Sequence, residues 1–147
     1  MPLNREQICA LLPHGKAMCL LDEVISWDAE KIHCRSQDFA TRHNSLFEQG
    51  QFSSVLLIEY AAQAAGVHAA LLQPTLQPMQ TSGQAAYIGA VKNIELFKSV
   101  SDNTSAIELT AYCLLNNSSG AIYDVVAQQE AHILMRGRLI LSQSAAA

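Results

Sequence analysis

At 147 residues the chain has the length of one ordinary domain with a full core, and a single domain over residues 1–147 is expected. Half of its residues are hydrophobic and 15% are charged, so it is globular and somewhat greasy, with apolar surface to spare for a subunit interface. A net charge of −4, from 9 basic and 13 acidic residues with no Lys/Arg cluster, excludes the usual nucleic-acid-binding face.

Residues 1–6 lack the charged-then-apolar pattern of a secretion signal. Asn4 can cap a short helix with Gln7 at the capping-box position, running to about Leu12 before Pro13. Residues 18–27 and 31–39 are rich in strand formers, and Asp28-Ala29-Glu30 between them suggests a hairpin. After a polar stretch over 41–51, Ser53 or Ser54 can cap a long helix that should end before Pro74. A loop with Pro74, Pro78 and Gly83 follows. The remainder reads as strands over 85–98, 107–115, 121–129 and about 132–141. In 107–115 the odd positions Ile107, Leu109, Ala111, Cys113 and Leu115 are apolar, while Glu108, Thr110 and Tyr112 take the other face. Ile133, Met135, Gly137, Leu139 and Leu141 alternate in the same way with His132, Arg136 and Arg138. A period of two marks a strand with one covered face. Asn116-Asn117-Ser118-Ser119-Gly120 is a turn between two such strands. The order predicts an α+β fold: one helix of ~30 Å wrapped by a curved antiparallel sheet of about six strands, the last four as a meander.

Cys9, Cys19, Cys34 and Cys113 are widely spaced among apolar neighbours, with no C-x-x-C. That pattern predicts buried free thiols in a cytoplasmic, disulfide-free protein. Five histidines and four cysteines show no zinc spacing, and neither a Gly-rich phosphate loop nor a G-x-S-x-G elbow is present. No metal or bound cofactor is expected.

Chemistry concentrates in the run Val55-Leu56-Leu57-Ile58-Glu59-Tyr60-Ala61-Ala62-Gln63-Ala64-Ala65-Gly66-Val67. A helix apolar around its circumference is normally buried. A buried carboxylate is costly unless paired, protonated or needed. Glu59, Gln63 and His68 argue for a core helix rather than a membrane span. Glu59 and Gln63, four residues apart, project from one side and form the best candidate site.

The order of elements is that of the hot-dog fold, and particular residues sharpen the match. Leu12-Pro13-His14-Gly15 and Leu20-Leu21-Asp22-Glu23-Val24 resemble the opening of the 3-hydroxyacyl-ACP dehydratases of fatty-acid synthesis. Residues 58–66 resemble their central helix, in which a catalytic acid is followed by glutamine at i+4, and Ala90-Val91-Lys92-Asn93-Ile94 with Phe97-Lys98 resembles their third strand. The helix segment, with Val67-His68 beyond it, is most similar to dehydratase-like proteins of aryl-polyene and related polyketide clusters. The resemblance implies a site at a dimer interface, with a histidine of one subunit facing the helix carboxylate of the other. It also implies an acyl carrier protein as partner, and a homodimer or a heterodimer with a related hot-dog subunit. The family's H-F-P-G motif and the Pro-Gly pair before the helix are absent; His43 stands about where the polyene-cluster relatives carry their histidine.

Removing water from a 3-hydroxyacyl thioester needs a base at C2, an acid for the leaving hydroxyl at C3, and a donor to the thioester carbonyl. An imidazole suits the first task. A carboxyl group on an apolar helix can hold its proton near neutrality through desolvation, and backbone N–H groups near Ser53–Leu56 can receive the carbonyl oxygen. The expected roles are therefore His43 as base, Glu59 of the partner chain as acid and Gln63 as positioner, with no bound cofactor. Plain alternatives stand beside them: Glu59 in a structural ion pair at an interface, Gln63 as a satisfied polar residue, and His43 as a surface residue. His68, half a turn out of phase with Glu59, reads as packed or interfacial, His33 and His132 as surface, His14 as loop-shaping, and Asp22 as a local cap or pair. Lys92 and Lys98 with Arg136 and Arg138 form either a modest positive rim for an acidic carrier or a solvated sheet face. Two further readings compete with dehydration: a hot-dog thioesterase in which Glu59 activates water or attacks the thioester, and a non-catalytic subunit of a heterodimeric dehydratase.

Overall fold

Asn4 and Gln7 close a reciprocal capping box. The Gln7 N–H donates to Asn4 Oδ1 and the Asn4 N–H to Gln7 Oε1, both at 2.9 Å. The cap ends a two-residue strand, β1 (Leu3–Asn4), and starts helix α1 (Arg5–Leu11). Asn4→Ala removes one half of the box, and the expected cost is about 1 kcal/mol. A lower urea midpoint with an unchanged slope would register it.

The computed structural model describes residues 2–11, 19–37, 55–72, 86–97 and 106–143. β2 (Glu23–Trp27) and β3 (Lys31–Ser36) form the expected hairpin. Its turn is held by Asp28, whose Oδ1 accepts the Glu30 and Lys31 N–H groups at 2.8 and 3.0 Å. Those two bonds, in that order, hold the Asp28 carboxyl below its usual range. The long helix is α2 (Val55–Leu71), and β4 (Ala86–Leu96), β5 (Ile107–Asn117), β6 (Gly120–Gln129) and β7 (His132–Gln143) follow. The turn between β5 and β6 is tight: Asn117 Oδ1 accepts the Ser119 N–H at 2.8 Å. Gly120 sits at φ +156°, where a Cβ would run into the Leu141 carbonyl.

The described strands form one antiparallel sheet in the order β1-β2-β3-β5-β6-β7-β4. The expected meander of four is therefore a meander of three, β5-β6-β7, with β4 crossing over to pair β7 at the sheet's end. Alternation tells which face of a strand is covered and leaves its neighbour open. Here β3 takes the place beside β5 because Ile32 and Cys34 extend the inner row of Leu109 and Ala111. Burial alternates strictly along β6, with Ala121, Tyr123, Val125, Ala127 and Gln129 inward. In β5 the alternation breaks at a bulge between Cys113 and Leu115, so Leu115 leaves the covered face and is 50% exposed. A bulge inserts one residue and turns the following side chains over.

One expectation fails at the N-terminus. Cys9, in the last turn of α1, and Cys19, just before β2, are joined in a disulfide with Cα atoms 5.6 Å apart, a separation the bond accommodates. Both cysteines are buried, as their neighbours implied. Spacing alone does not show that α1 folds back onto the chain leading into β2. Cys34 is the buried free thiol expected, its ionisation pushed up to about 12 by burial.

Candidate active site

α2 lies across β5, β6 and β3 on the inner face of the sheet. Leu57, Tyr60, Ala61, Ala64, Ala65 and Val67 are buried against it. The alanines add little bulk between helix and sheet. The opposite side of the helix is partly open, along Ile58, Glu59, Ala62 and Gly66. Glu59 therefore stands at the rim of the core, on an apolar stripe that its own sheet leaves uncovered.

Gln63 is one turn further on and only 5% exposed. Its Oε1 accepts the Leu20 N–H at 2.8 Å, which fixes the amide against the chain entering β2. The segment it holds is fixed from several sides. Ser36 Oγ donates to the Leu20 carbonyl at 2.9 Å and Arg5 Nη2 to the Cys19 carbonyl at 2.8 Å. Asp22 faces Arg5 at 3.5 Å and accepts the Gln37 N–H at 2.6 Å. The pair Glu59/Gln63 thus combines a carboxylate at the rim with an amide that locks the helix to the chain entering β2. His43 lies outside the described residues, as do His14, Ser53, Ser54 and Lys98.

His68 sits away from the Glu59 stripe and is fully buried. Its Nε2 is 2.6 Å from the Asp28 carbonyl oxygen and its Nδ1 is 2.6 Å from Tyr123 Oη. A carbonyl only accepts, so Nε2 carries the hydrogen and Nδ1 receives the Tyr123 hydroxyl proton. Trp27 packs edge-on to the ring. Burial lowers the His68 pKa below 6.5, and the bond to the Asp28 carbonyl opposes the shift. This is the packed histidine expected, with a partner the sequence did not name. The signal lay in the alternation of β6, which turns Tyr123 inward under the helix. Burial pushes the Tyr123 hydroxyl pKa up, as does the neighbouring Cys113.

His33 is not a plain surface residue: its Nε2 meets Glu108 Oε1 at 2.7 Å across β3 and β5. His132 is exposed. The basic side chains of β7 are paired, Arg136 with Glu95 at 2.9 Å and Arg138 with Asp124 at 2.8 Å. Lys92 lies opposite Arg138 in the β4–β7 register. The outer face there is therefore a ladder of both signs around a shallow cavity of about 380 Å³. Among the described residues no group of three His, Cys, Asp or Glu side chains gathers as a metal-ligand set, and no helix is long and apolar enough to cross a membrane.

A family model described as "ApeP-like: ApeP dehydratase" matches residues 6–147. No curated protein matches the chain by sequence. Among solved structures, the dehydratase heterocomplex ApeI:P from Xenorhabdus doucetiae is similar at 19% identity and TM-score 0.74, over 93% of this chain and 90% of that one. A mutant thioesterase from Pseudomonas aeruginosa is similar at 13% identity and TM-score 0.68, over 96% of this chain and 94% of the other. A thioesterase from Haemophilus influenzae follows the same path at 12% identity and TM-score 0.65, over 96% and 88%. At these identities the structures establish the hot-dog fold.

Proposed function

Because the chain belongs to the ApeP-like dehydratase family, we propose that it removes water from 3-hydroxyacyl thioesters held on an acyl carrier protein. The product is a trans-2-enoyl thioester for fatty-acid, polyene or polyketide synthesis in the cytoplasm. The observation that carries this reading is Glu59 on the open apolar stripe of α2, with Gln63 anchored one turn away.

In the proposed reaction His43 takes a proton from C2 of the acyl chain. Glu59 gives a proton to the hydroxyl leaving C3, and water departs as the C2–C3 double bond forms. Gln63 holds the helix and the carboxyl in register. The acyl chain lies along the apolar stripe, and no bound cofactor is required. A general acid on an apolar wall works where water is scarce, which strengthens its hydrogen bond to the leaving oxygen.

A second hot-dog subunit, whether a copy of this chain or a related protein, completes the arrangement. Among the described residues β4 ends the sheet with one edge unpaired, and Val91, Leu96 and Phe97 on and beside it are 39%, 56% and 51% exposed. Such an edge is normally covered. The heterocomplex among the similar structures favours a related subunit as the cover.

Thioesterases among the similar structures favour one rival reading, hydrolysis. A 3-hydroxyacyl thioester separates the two: dehydration raises enoyl absorbance with no thiol released, whereas hydrolysis releases free thiol with no enone. Enone formation is expected, from the chain alone or on adding a related hot-dog subunit. Thiol release under both conditions would replace dehydratase with thioesterase.

A further inference from the structure

The Cys9–Cys19 disulfide sits one residue from Leu20, the residue whose N–H binds Gln63. We propose that Cys9 and Cys19 form a reversible dithiol–disulfide switch that controls how firmly the chain entering β2 is held against Gln63, and through it the Glu59 site. The second part rests on Glu59 and Gln63 being the dehydration site; the first does not.

Three observations support a switch rather than a permanent staple. α1 has seven residues and buries only Ile8 and Cys9, so beyond the β1–β2 pairing at its start and the partly buried Leu11 the cross-link is its main hold. A helix so short has no stability of its own. A further tie is Arg5, whose guanidinium reaches the carbonyls of Cys19 and Leu21 at 2.8 and 3.4 Å, at the same few residues the disulfide fixes. Finally, Cys19 Sγ lies 3.7 Å from the Leu21 carbonyl oxygen, an acceptor for the thiol once the bond is opened. Both redox states therefore have a place for the sulfur. In a cytoplasmic protein a disulfide is usually transient and redox-sensing, which fits the proposed location.

The chemistry is thiol–disulfide exchange with a dithiol reductant. One thiolate of the reductant attacks a sulfur of the pair, the Cys9–Cys19 bond breaks and a mixed disulfide forms. The reductant's second thiolate then closes its own disulfide. Two electrons pass to the protein, and Cys9 and Cys19 each end as a thiol after taking one proton. Reduction requires α1 to lift, since both sulfurs are buried, and lifting α1 removes Arg5 from the chain entering β2.

The test uses the full chain, purified without reductant. Alkylation under denaturing conditions is expected to modify Cys34 and Cys113 alone, and all four cysteines after dithiothreitol. Hydrogen exchange at the Leu20 amide should speed up several-fold on reduction, by about the worth of one hydrogen bond. It should slow again with oxidised glutathione. A chain carrying Cys9→Ser and Cys19→Ser should exchange at the fast rate and ignore both reagents. Dehydration by the wild-type chain should fall several-fold on reduction and recover on oxidation. Alkylation of all four cysteines before any reductant, or a Leu20 amide indifferent to redox state, would overturn the switch. Redox-dependent exchange in a chain that dehydrates in neither state, alone or with a related hot-dog subunit added, would leave the switch standing and remove the proposed function instead.

Discussion

Glu59→Gln is expected to lower the rate of enoyl formation by about 10²–10⁴, the usual contribution of a positioned general acid. The amide matches the carboxyl in shape and can still accept a hydrogen bond, yet it has no proton to give a leaving hydroxyl. Glu59 is partly exposed and stands on the helix stripe away from the sheet. The substitution should therefore leave stability within about 0.5 kcal/mol of the parent. Rate and melting temperature measured together distinguish the roles. A structural ion pair at an interface would instead show as a change of oligomeric state or melting point, with the rate per assembled site preserved.

The largest effect on stability is expected at the far end of the same helix. His68→Leu fills the volume but leaves the Asp28 carbonyl and the Tyr123 hydroxyl without the ring that serves them both. Asp28 is exposed, so water can serve its carbonyl, and the cost falls on the buried Tyr123 hydroxyl, about 1–3 kcal/mol. His68 also makes stability depend on pH. Burial lowers its folded pKa beneath the ordinary 6.5, so below 6.5 the unfolded chain binds a proton that the folded chain refuses. Its contribution is complete above 6.5 and is lost as the pH falls through the folded value. Protonation also occupies the Nδ1 lone pair that receives the Tyr123 hydrogen. Urea midpoints between pH 7.5 and 5 should fall more steeply for the wild-type chain than for His68→Leu. Parallel slopes would remove His68 as the source.

Much of the fold could be read from the residues because it depends on local chemistry. The Asn4/Gln7 box, the Asp28 turn and the alternation in β5 and in β7 from Met135 onward each announce themselves within a few positions, whereas Ile133, placed inward by the same pattern, is 40% exposed and Leu134 is buried instead. What escaped was non-local. Nothing in the spacing of Cys9 and Cys19 says that α1 folds back to meet the chain before β2. Nothing in the residues of β4 says that it pairs with β7 rather than β5. The bulge after Cys113 turned Leu115 outward although its position in the pattern pointed in. At the site, the i, i+4 relation of Glu59 and Gln63 was visible because a helix fixes it. The tie from Gln63 to Leu20 was not, since it spans 43 positions. The His43 assignment concerns a residue outside the described structure, and it rests on the family resemblance.

The most direct measurement follows the oxygen that leaves C3. A 3-hydroxyacyl thioester carrying ¹⁸O in its hydroxyl, turned over by the wild-type assembly, should release the label as water at the rate the enone appears. With Glu59→Gln in place that release should nearly stop. Label retained in a free 3-hydroxy acid, or lost equally fast without the Glu59 carboxyl, would contradict the account.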